Sequence, residues 1–212
     1  MFESLEGLRG AGKSTIAPLL AAARGAVLVS TVPPRFQALR HELDAGDNAE
    51  ARMAFYLAAL FTATDEIRRH LAVGTSVVVD SYFARCLANH HAFGSRLGVT
   101  LPPDLPHPLT YNLVCGQAER ELRLRTRSKP MSRWDTVAEE LSEQITQAYA
   151  PFPMHRVDTT GRTPEQVVHT ILALTPQRDW RATADSSCQW PQPVTAASHQ
   201  AEHRTPPKTT ER

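Results

Sequence analysis

Three glycines, one lysine and two hydroxyl side chains lie close together near the start of the sequence. The stretch EGLRGAGKST fits the spacing G-x-x-x-x-G-K-[ST], with Gly7, Gly12, Lys13 and Ser14 in the four fixed places. Glycines allow successive backbone N–H groups to point into one anion-binding hollow. Lys13 would add a positive charge at the β- and γ-phosphates, and the Ser14 hydroxyl would bind Mg²⁺. The spacing therefore predicts a phosphate-binding loop.

The whole loop is expected to contact the phosphates of ATP. Its residues are Gly7, Leu8, Arg9, Gly10, Ala11, Gly12, Lys13, Ser14 and Thr15. A helix beginning at Ser14 would present its N-terminus to the same anion. The alternative is a flexible glycine turn without a ligand.

A second group of reactive side chains follows the clearest predicted strand, in VVVDSYFAR. Asp80 ends this strand, at the edge of a parallel sheet where ligands bind. It is expected either to hold Mg²⁺ through water or to accept a proton from a substrate hydroxyl; the alternative is an N-cap for the next helix. Tyr82 is a candidate for stacking on a substrate base, although either Tyr82 or Phe83 could equally fill the core. Arg85 is a candidate anion contact.

The segment from Glu119 to Arg133 is strongly basic. It holds five arginines and one lysine against two glutamates, a local excess of four positive charges in a protein whose net charge is +1. Arginine forks bind phosphate oxygens and spread the charge of a transferring phosphoryl group. We expect two or three of these arginines to act from a mobile lid, with Arg125 and Arg127 as catalytic candidates. The remaining arginines would form a solvated helix face.

Composition limits the other classes of function. The near-neutral charge argues against nucleic-acid and membrane partners, and no apolar run approaches the ~18 residues of a membrane span. We expect no charged-then-apolar leader before the glycine loop, and Cys86, Cys115 and Cys188 are far apart in the sequence. These features predict reduced thiols, no metal or disulfide cluster, and a cytoplasmic location.

Strands alternate with helices along the chain, which predicts an α/β fold with a doubly wound parallel sheet. The expected strands are 1–5, 26–30, 76–79, 109–114 and 156–158, and the expected helices are 14–24, 48–73, 119–127, 135–150 and 164–174. Glu3 interrupts the first strand, so that strand is weak or the chain begins a few residues upstream. Residues 1–174 would form one domain, and the proline-rich residues 175–212 a disordered tail.

This layout resembles the thymidylate kinase family of P-loop nucleoside-monophosphate kinases over about residues 2–174. The resemblance rests on EGLRGAGKST, on the long helix before Gly74, on VVVDSYFAR, on the arginine-rich segment and on VDTTGRTPEQVV. It implies transfer of a phosphoryl group from ATP, with Mg²⁺, under an arginine-bearing lid at about 120–133. Thymidine monophosphate (dTMP) is the best single acceptor on this reading.

The sequence departs from that family at three places. The family has E-G-x-D-G-x-G-K-[ST], but Arg9 replaces the Asp that reaches the deoxyribose hydroxyl. Ser81 replaces the arginine of D-R-[YFS], and Leu60 stands where the long helix usually carries a phosphate-binding arginine. Two lost contacts of ~1.5–3 kcal/mol each would weaken monophosphate binding by two to four orders of magnitude. Arg9 and Arg85 are the available replacements, and Arg9 would convert a sugar-reading position into an anion-reading one.

Other interpretations remain open at the level of the sequence. The same fold could phosphorylate a nucleoside or another alcohol, with Asp80 as the base, or it could bind ATP without catalysis. Arg35 is either an anion contact or a surface residue, and residues 158–161 form either an adenine-side loop or a helix entry. The pair His90-His91 is expected on a helix surface, since adjacent positions face different directions. The partner is a small nucleotide-like molecule, and the sequence allows a homodimer.

Overall fold

A five-stranded parallel sheet forms the centre of the structure, a computed structural model that describes residues 1–127 and 131–174. The strands are β1 (Phe2–Glu6), β2 (Val27–Val29), β3 (Val77–Val79), β4 (Leu109–Val114) and β5 (His155–Asp158). Their order is β2-β3-β1-β4-β5, and every adjacent pair is parallel. The chain crosses from one side of β1 to the other between β3 and β4, so the carboxyl end of β1 is the switch point at which such sheets bind ligands. The predicted fold class is confirmed.

Helices cover both faces of the sheet. They are α1 (Lys13–Arg24), α2 (Gln37–Ala45), α3 (Ala49–Ala72), α4 (Phe83–Ala92), α5 (Gln117–Arg125), α6 (Arg133–Glu140), α7 (Ser142–Ala148) and α8 (Pro164–Leu174), with a 3₁₀ turn at Pro34–Phe36. Helix α1 begins one residue earlier than predicted. The single helix predicted at 135–150 is two helices that meet at Leu141, and α2 is a helix that the sequence pattern did not predict.

Two apolar clusters hold these layers together. Helices α3 and α4 pack on one face of the sheet, around Ile67, Val79 and Phe83. Helices α1 and α8 pack on the other face, around Leu20 and Ile171. All five of these side chains are 3% exposed or less. The sheet is thus buried on both faces, as parallel sheets require, and β1 is held rigidly beneath the loop that follows it.

Strand β1 carries a buried acid whose charge is compensated. Glu3 is 1% exposed and pairs with Arg24, whose Nη2 lies 3.0 Å from Oε1 and whose Nε lies 3.2 Å from Oε2. The Tyr111 hydroxyl donates to the same Oε1 at 2.8 Å. A buried carboxylate with these partners does not break the strand. The expectation of a weak first strand is therefore wrong, because the compensating arginine lies on the next helix.

Within residues 1–127 and 131–174, no helix combines the length and the apolar character needed to cross a membrane. The predicted disordered tail, residues 175–212, lies outside the described residues, as does Lys129 of the basic segment. The predicted domain boundary after residue 174 therefore stays a prediction.

Candidate active site

The loop between β1 and α1 can be built only with glycine at its bends. Gly7, Gly10 and Gly12 have φ angles of 127°, 77° and 104°, which side-chain-bearing residues rarely adopt. A Cβ on Gly7 would lie 2.3 Å from the Leu113 carbonyl oxygen, and one on Gly10 would lie 2.7 Å from Cγ of Arg120. The loop is thus packed tightly against β4 and α5. This backbone fits a phosphate group.

Lys13 lies beneath this loop and points along it. The residue is 6% exposed, and its Nζ donates to the carbonyl oxygens of Gly7 (2.7 Å) and Leu8 (2.9 Å). Burial, reinforced by the nearby charge of Arg85 and opposed by that of Asp80, lowers the pKa of Lys13 to about 7. A bound phosphate would supply the negative charge that this buried ammonium group lacks.

Glu6 joins the loop to the turn after β3. Its carboxylate accepts hydrogen bonds from the Tyr82 backbone N–H (2.7 Å) and the Ser4 hydroxyl (2.9 Å), while Oε2 has no hydrogen-bond partner among the described residues. Burial raises the pKa of Glu6 to about 7, although both hydrogen bonds oppose the shift. This side chain therefore fixes the position of β3's carboxyl end relative to the glycine loop.

Asp80 and Ser14, the two predicted magnesium ligands, follow the adjacent strands β3 and β1. Asp80 follows β3, which pairs directly with β1, and its buried Oδ1 has no hydrogen-bond partner in the described part of the chain. Ser14 is exposed at the start of α1. No group of three or more His, Cys, Asp or Glu side chains gathers within residues 1–127 and 131–174. Mg²⁺ binds oxygen donors, such as a carboxylate and a hydroxyl, together with phosphate oxygens. The donor set fits this ion.

Two arginines of the basic segment contact the loop. Arg123 on α5 donates from Nη1 to the Gly10 carbonyl oxygen (3.4 Å) and from Nη2 to the Thr159 carbonyl oxygen (2.8 Å). Arg120 is 6% exposed and donates to the Arg9 carbonyl oxygen at 3.5 Å. Positions three apart share one face of a helix, so both side chains reach the same place. The loop after β5, which the sequence left open as an adenine-side loop or a helix entry, is joined to Arg123 through Thr159.

The other arginines of this segment differ from the prediction. Arg125 lies on the opposite side of α5, 78% exposed at its side chain and paired with Glu121 at 3.4 Å. It therefore does not reach the loop, and its assignment as a catalytic residue is corrected in favour of Arg123. Arg127 is exposed, but its charge acts on the loop, since it contributes to the lowered pKa of Lys13. Its catalytic assignment stays a prediction.

A narrow cleft opens beside the loop, between α3, α4 and α6. Its lining includes Arg9, Arg52 and Arg85, the amide of Asn89, and the rings of Phe93 and Trp134. The two rings lie 5.1 Å apart between centroids. The cleft thus combines cationic groups near the loop with an apolar, aromatic wall, which suits an anionic molecule that carries a flat ring.

Arg85 lies in this cleft, as predicted for an anion contact. Its Nη1 donates to the Ser81 hydroxyl at 3.2 Å, because the two positions are one turn apart at the start of α4. Ser81 is the position at which the resembling family has an arginine after its aspartate. The guanidinium of Arg85 therefore reaches back toward the place from which that arginine is missing.

Arg52 is a cleft residue that the sequence reasoning missed. Leu60, the expected place of an arginine, is in the core at 4% exposure, whereas Arg52 lies about two turns earlier on α3. Its Nε pairs with Asp44 at 2.7 Å, its Nη1 lies 3.0 Å from Nε2 of His90, and its guanidinium carbon lies 5.1 Å from the Trp134 ring centre. A single arginine within a helix carries no signal that distinguishes it from a surface residue.

His90 was expected on a helix surface, and this expectation is wrong. The side chain is 2% exposed, and its Nδ1 lies 2.7 Å from the Cys86 carbonyl oxygen. Nδ1 must donate in that contact, which leaves Nε2 to accept from Arg52. Burial, reinforced by the charge of Arg52, lowers the pKa of His90 to about 4. His90 is therefore neutral and supports an arginine of the cleft.

Two further residues lie away from the cleft. Tyr82 is 1% exposed, its hydroxyl lies 2.8 Å from the Thr64 hydroxyl, and its ring packs edge-on against Phe2. Its proposed stacking on a substrate base is corrected, since the ring points into the core. Arg35 is exposed and lies over the ring of Phe36, as a surface arginine.

Arg9 lies at the point where the loop faces the cleft. Its side chain is 9% exposed, and its Nε pairs with Asp135 of α6 at 3.1 Å. Its Nη1 is buried and has no hydrogen-bond partner among residues 1–127 and 131–174. The predicted anion-reading position is thus inside the cleft.

A parallel sheet in this order, with a glycine loop after its central strand, is the fold of P-loop kinases. Among solved structures, the chain is similar to a thymidylate kinase from Candida albicans, with a TM-score of 0.67, 20% sequence identity, and coverage of 82% of this chain and 89% of that one. It is also similar to a deoxyadenosine kinase from M. mycoides solved with bound dCTP, with a TM-score of 0.57, 15% identity, and coverage of 82% and 98%. No family model and no curated protein sequence matches this chain. The structural likeness shows that the chain has the fold of nucleoside and nucleotide kinases.

Proposed function

We propose that the protein is an ATP- and Mg²⁺-dependent phosphotransferase that moves the γ-phosphoryl group to a nucleoside monophosphate, with dTMP as the best single acceptor. The observation that carries this proposal is the convergence of Arg9, Arg52 and Arg85 on one cleft beside the phosphate-binding loop. Three guanidinium groups in so small a space favour an acceptor that is itself anionic. The likeness to a thymidylate kinase supports the same assignment.

In this function the loop and the basic helix hold the donor. The backbone N–H groups of the loop and the ammonium group of Lys13 bind the β- and γ-phosphates, and Arg123 stabilises the loop from the side of α5. Mg²⁺, held by Ser14 and Asp80, would neutralise charge on the phosphates. These groups act by position and charge, which is the main source of catalysis in phosphoryl transfer.

The cleft holds the acceptor. Arg85, beside Lys13, would bind the acceptor phosphate, and Phe93 and Trp134 would enclose the base. An oxygen of the acceptor phosphate forms a bond to the γ-phosphorus, the bond from that phosphorus to the β,γ-bridging oxygen breaks, and the products are ADP and a nucleoside diphosphate. The arginines would bind the acceptor phosphate before the reaction and would also stabilise the charge that develops during transfer.

A second candidate function is phosphorylation of a nucleoside or another alcohol. The buried Oδ1 of Asp80, which has no hydrogen-bond partner among the described residues, is placed to accept a proton from a neutral hydroxyl. The likeness to a deoxyadenosine kinase supports this alternative. It does not explain why three arginines line the cleft, so we rank it second.

The test is mass spectrometry of the products formed from ATP, Mg²⁺ and a pooled library of nucleosides and their monophosphates. We expect a nucleoside diphosphate, and we expect Lys13→Ala to abolish it. A nucleoside monophosphate as the product would favour the second candidate. ATP binding without any product would identify a non-catalytic nucleotide-binding protein.

We also propose a cytoplasmic location and no nucleic-acid or membrane partner. Cys86 and Cys115 are free thiols, as expected where the surroundings keep thiols reduced. The near-neutral charge of +1 supports small-molecule substrates rather than polyanionic partners. A homodimer remains compatible with this function.

A further inference from the structure

An ion pair joins the glycine loop to the helix that covers the cleft. Nε of Arg9 lies 3.1 Å from Oδ1 of Asp135, and the two side chains are 9% and 26% exposed. Arg9 is therefore more than nine-tenths buried, yet its Nη1 has no hydrogen-bond partner among the described residues. Part of this guanidinium thus remains available to a second anion.

The two carboxylate oxygens of Asp135 have different partners. Oδ2 accepts the Ser132 backbone N–H at 3.0 Å, while the Asp135 N–H is given to the Ser132 hydroxyl at 3.2 Å. This reciprocal cap fixes the start of α6. Because Oδ1 holds Arg9 at the same time, α6 begins at a fixed place above the loop.

Helix α6 leaves little room beneath it. Trp134, Asp135 and Ala138 of α6 belong to the cleft lining, and the cleft has a free volume of about 30 Å³. That volume holds one or two water molecules, far less than the several hundred Å³ of a nucleotide-sized pocket. A nucleotide can therefore enter only when α6 shifts, and its phosphate can reach Nε of Arg9 only in exchange for the Asp135 carboxylate.

Separation of this pair has an unequal cost for different acceptors. A buried guanidinium without a counter-anion is strongly unfavourable. A phosphomonoester can replace the Asp135 carboxylate and also use the available Nη1. A neutral nucleoside offers Arg9 no charge, so the Arg9–Asp135 pair would stay intact in its complex and affect its affinity little.

We propose that Asp135 is an internal competitor for the acceptor phosphate: its carboxylate holds Arg9 until that phosphate takes its place, and it thereby lowers the affinity for nucleoside monophosphates but not for nucleosides. The proposal rests on the proposed function for the class of acceptor. It adds that two anions, one from the protein and one from the acceptor, compete for one arginine.

The test is isothermal titration calorimetry of the full chain with dTMP and with thymidine, in the presence of a non-hydrolysable ATP analogue that occupies the loop. We expect Asp135→Asn to bind dTMP about tenfold more tightly than the parent protein, since the phosphate no longer competes with a carboxylate. Affinity for thymidine should stay within about twofold. Selectivity for dTMP over thymidine therefore rises.

Three matched variants isolate the effect. Glu140→Gln removes an exposed carboxylate of the same helix and should leave dTMP affinity unchanged. Ser132→Ala weakens the cap without touching Arg9, so it should not reproduce the gain. In an Arg9→Gln background, the Asp135→Asn substitution should not change the affinity for dTMP further. The guanidinium for which the phosphate and the carboxylate compete is then absent.

The proposal is overturned if Asp135→Asn binds dTMP no more tightly than the parent, if thymidine gains equally, if the gain persists without Arg9, or if neither protein binds dTMP. Thermal unfolding of each variant checks that it is folded. These measurements need no turnover, whereas the proposed function is tested by product formation. Failure of the proposal on Asp135 is therefore distinguishable from failure of the proposed function.

Discussion

Nη1 of Arg52 donates a hydrogen bond to Nε2 of His90 across 3.0 Å. The contact joins α3 to α4 at the edge of the cleft, and it requires a neutral imidazole, since a protonated one has no acceptor. His90 thus acts on the cleft through Arg52 and through its ring contact with Phe93, at 5.6 Å between centroids. Its removal should reveal how much the orientation of that arginine matters.

Replacement of His90 by Leu should weaken acceptor binding. Arg52 would lose one of its fixed partners, and we expect KM for the acceptor to rise about tenfold, with little change in KM for ATP. Steady-state kinetics with each substrate varied in turn measures both constants. His91→Leu, on the exposed neighbouring position, is the matched control, and an equal rise there would contradict the role given to His90.

The same histidine should make the stability of the protein depend on pH. The pKa of His90 is lowered to about 4 in the folded state, against about 6.5 when unfolded, so the unfolded chain binds more protons between these values. The stabilisation is complete above pH 6.5 and is lost as the pH falls toward 4. Between pH 7 and pH 5 the free energy of unfolding should fall by about 2 kcal/mol on account of this group.

Urea denaturation of the parent and of His90→Leu at the two pH values measures this contribution. The comparison between the two proteins is needed because Glu6 has the opposite effect: its raised pKa of about 7 stabilises the folded state as the pH falls from 7 toward 4.5. That contribution is common to both proteins and cancels. Equal pH dependence in the two would contradict a buried neutral His90.

Binding of the Mg²⁺–nucleotide complex should be accompanied by proton uptake. The pKa of Lys13 is about 7 in the unliganded protein, and the phosphates would raise it by supplying a nearby negative charge. At pH 8 most of a proton should be taken up for each nucleotide bound. Calorimetry in two buffers of different ionisation enthalpy measures this number, and Lys13→Arg, which is always charged, should take up none.

Arg123 and Arg125 should differ in their effect on activity although they are two residues apart. Arg123 contacts the carbonyl oxygens of Gly10 and Thr159, whereas Arg125 pairs with Glu121 in solvent. We expect Arg123→Ala to lower kcat/KM for ATP roughly 10- to 100-fold, and Arg125→Ala to lower it less than about twofold. A larger loss of kcat/KM in Arg125→Ala than in Arg123→Ala would show that α5 turns its other face toward ATP.

Gly7 should not tolerate a side chain. A Cβ there would lie 2.3 Å from the backbone oxygen of Leu113, so Gly7→Ala should destabilise the protein by about 3 kcal/mol or more. Gly25 also has a positive φ, 60°, but its Cβ would meet nothing within 4 Å. Gly25→Ala should therefore cost only about 1 kcal/mol. Thermal unfolding of the two variants measures the difference.

The sheet and the loop were predictable because their signals are local. The spacing from Gly7 to Ser14 and the apolar run of β3 each lie within one short stretch of sequence. Glu3 shows the limit of such reasoning. It interrupts the pattern of β1, and only the fold brings Arg24 against it.

The side chains of the cleft were harder to predict, because their orientation depends on packing between distant helices. Arginines occur on several sides of the basic segment, and only the docking of α5 shows that Arg123 faces the loop. Tyr82 and Phe83 both follow β3, and both rings are in the core. Arg52 has no pattern around it at all, since its partners Asp44 and His90 come from other helices.

Thr159 hydrogen-bonds to three separate segments of the chain. Its hydroxyl lies 3.1 Å from the carbonyl oxygens of Ala11 and Val114, and Arg123 binds both its hydroxyl and its carbonyl oxygen. The glycine loop, the central sheet and helix α5 therefore share one junction at Thr159. A displacement of α5 would move the loop that is proposed to bind the phosphates. Release of the spent nucleotide and withdrawal of the basic helix would then be a single concerted event.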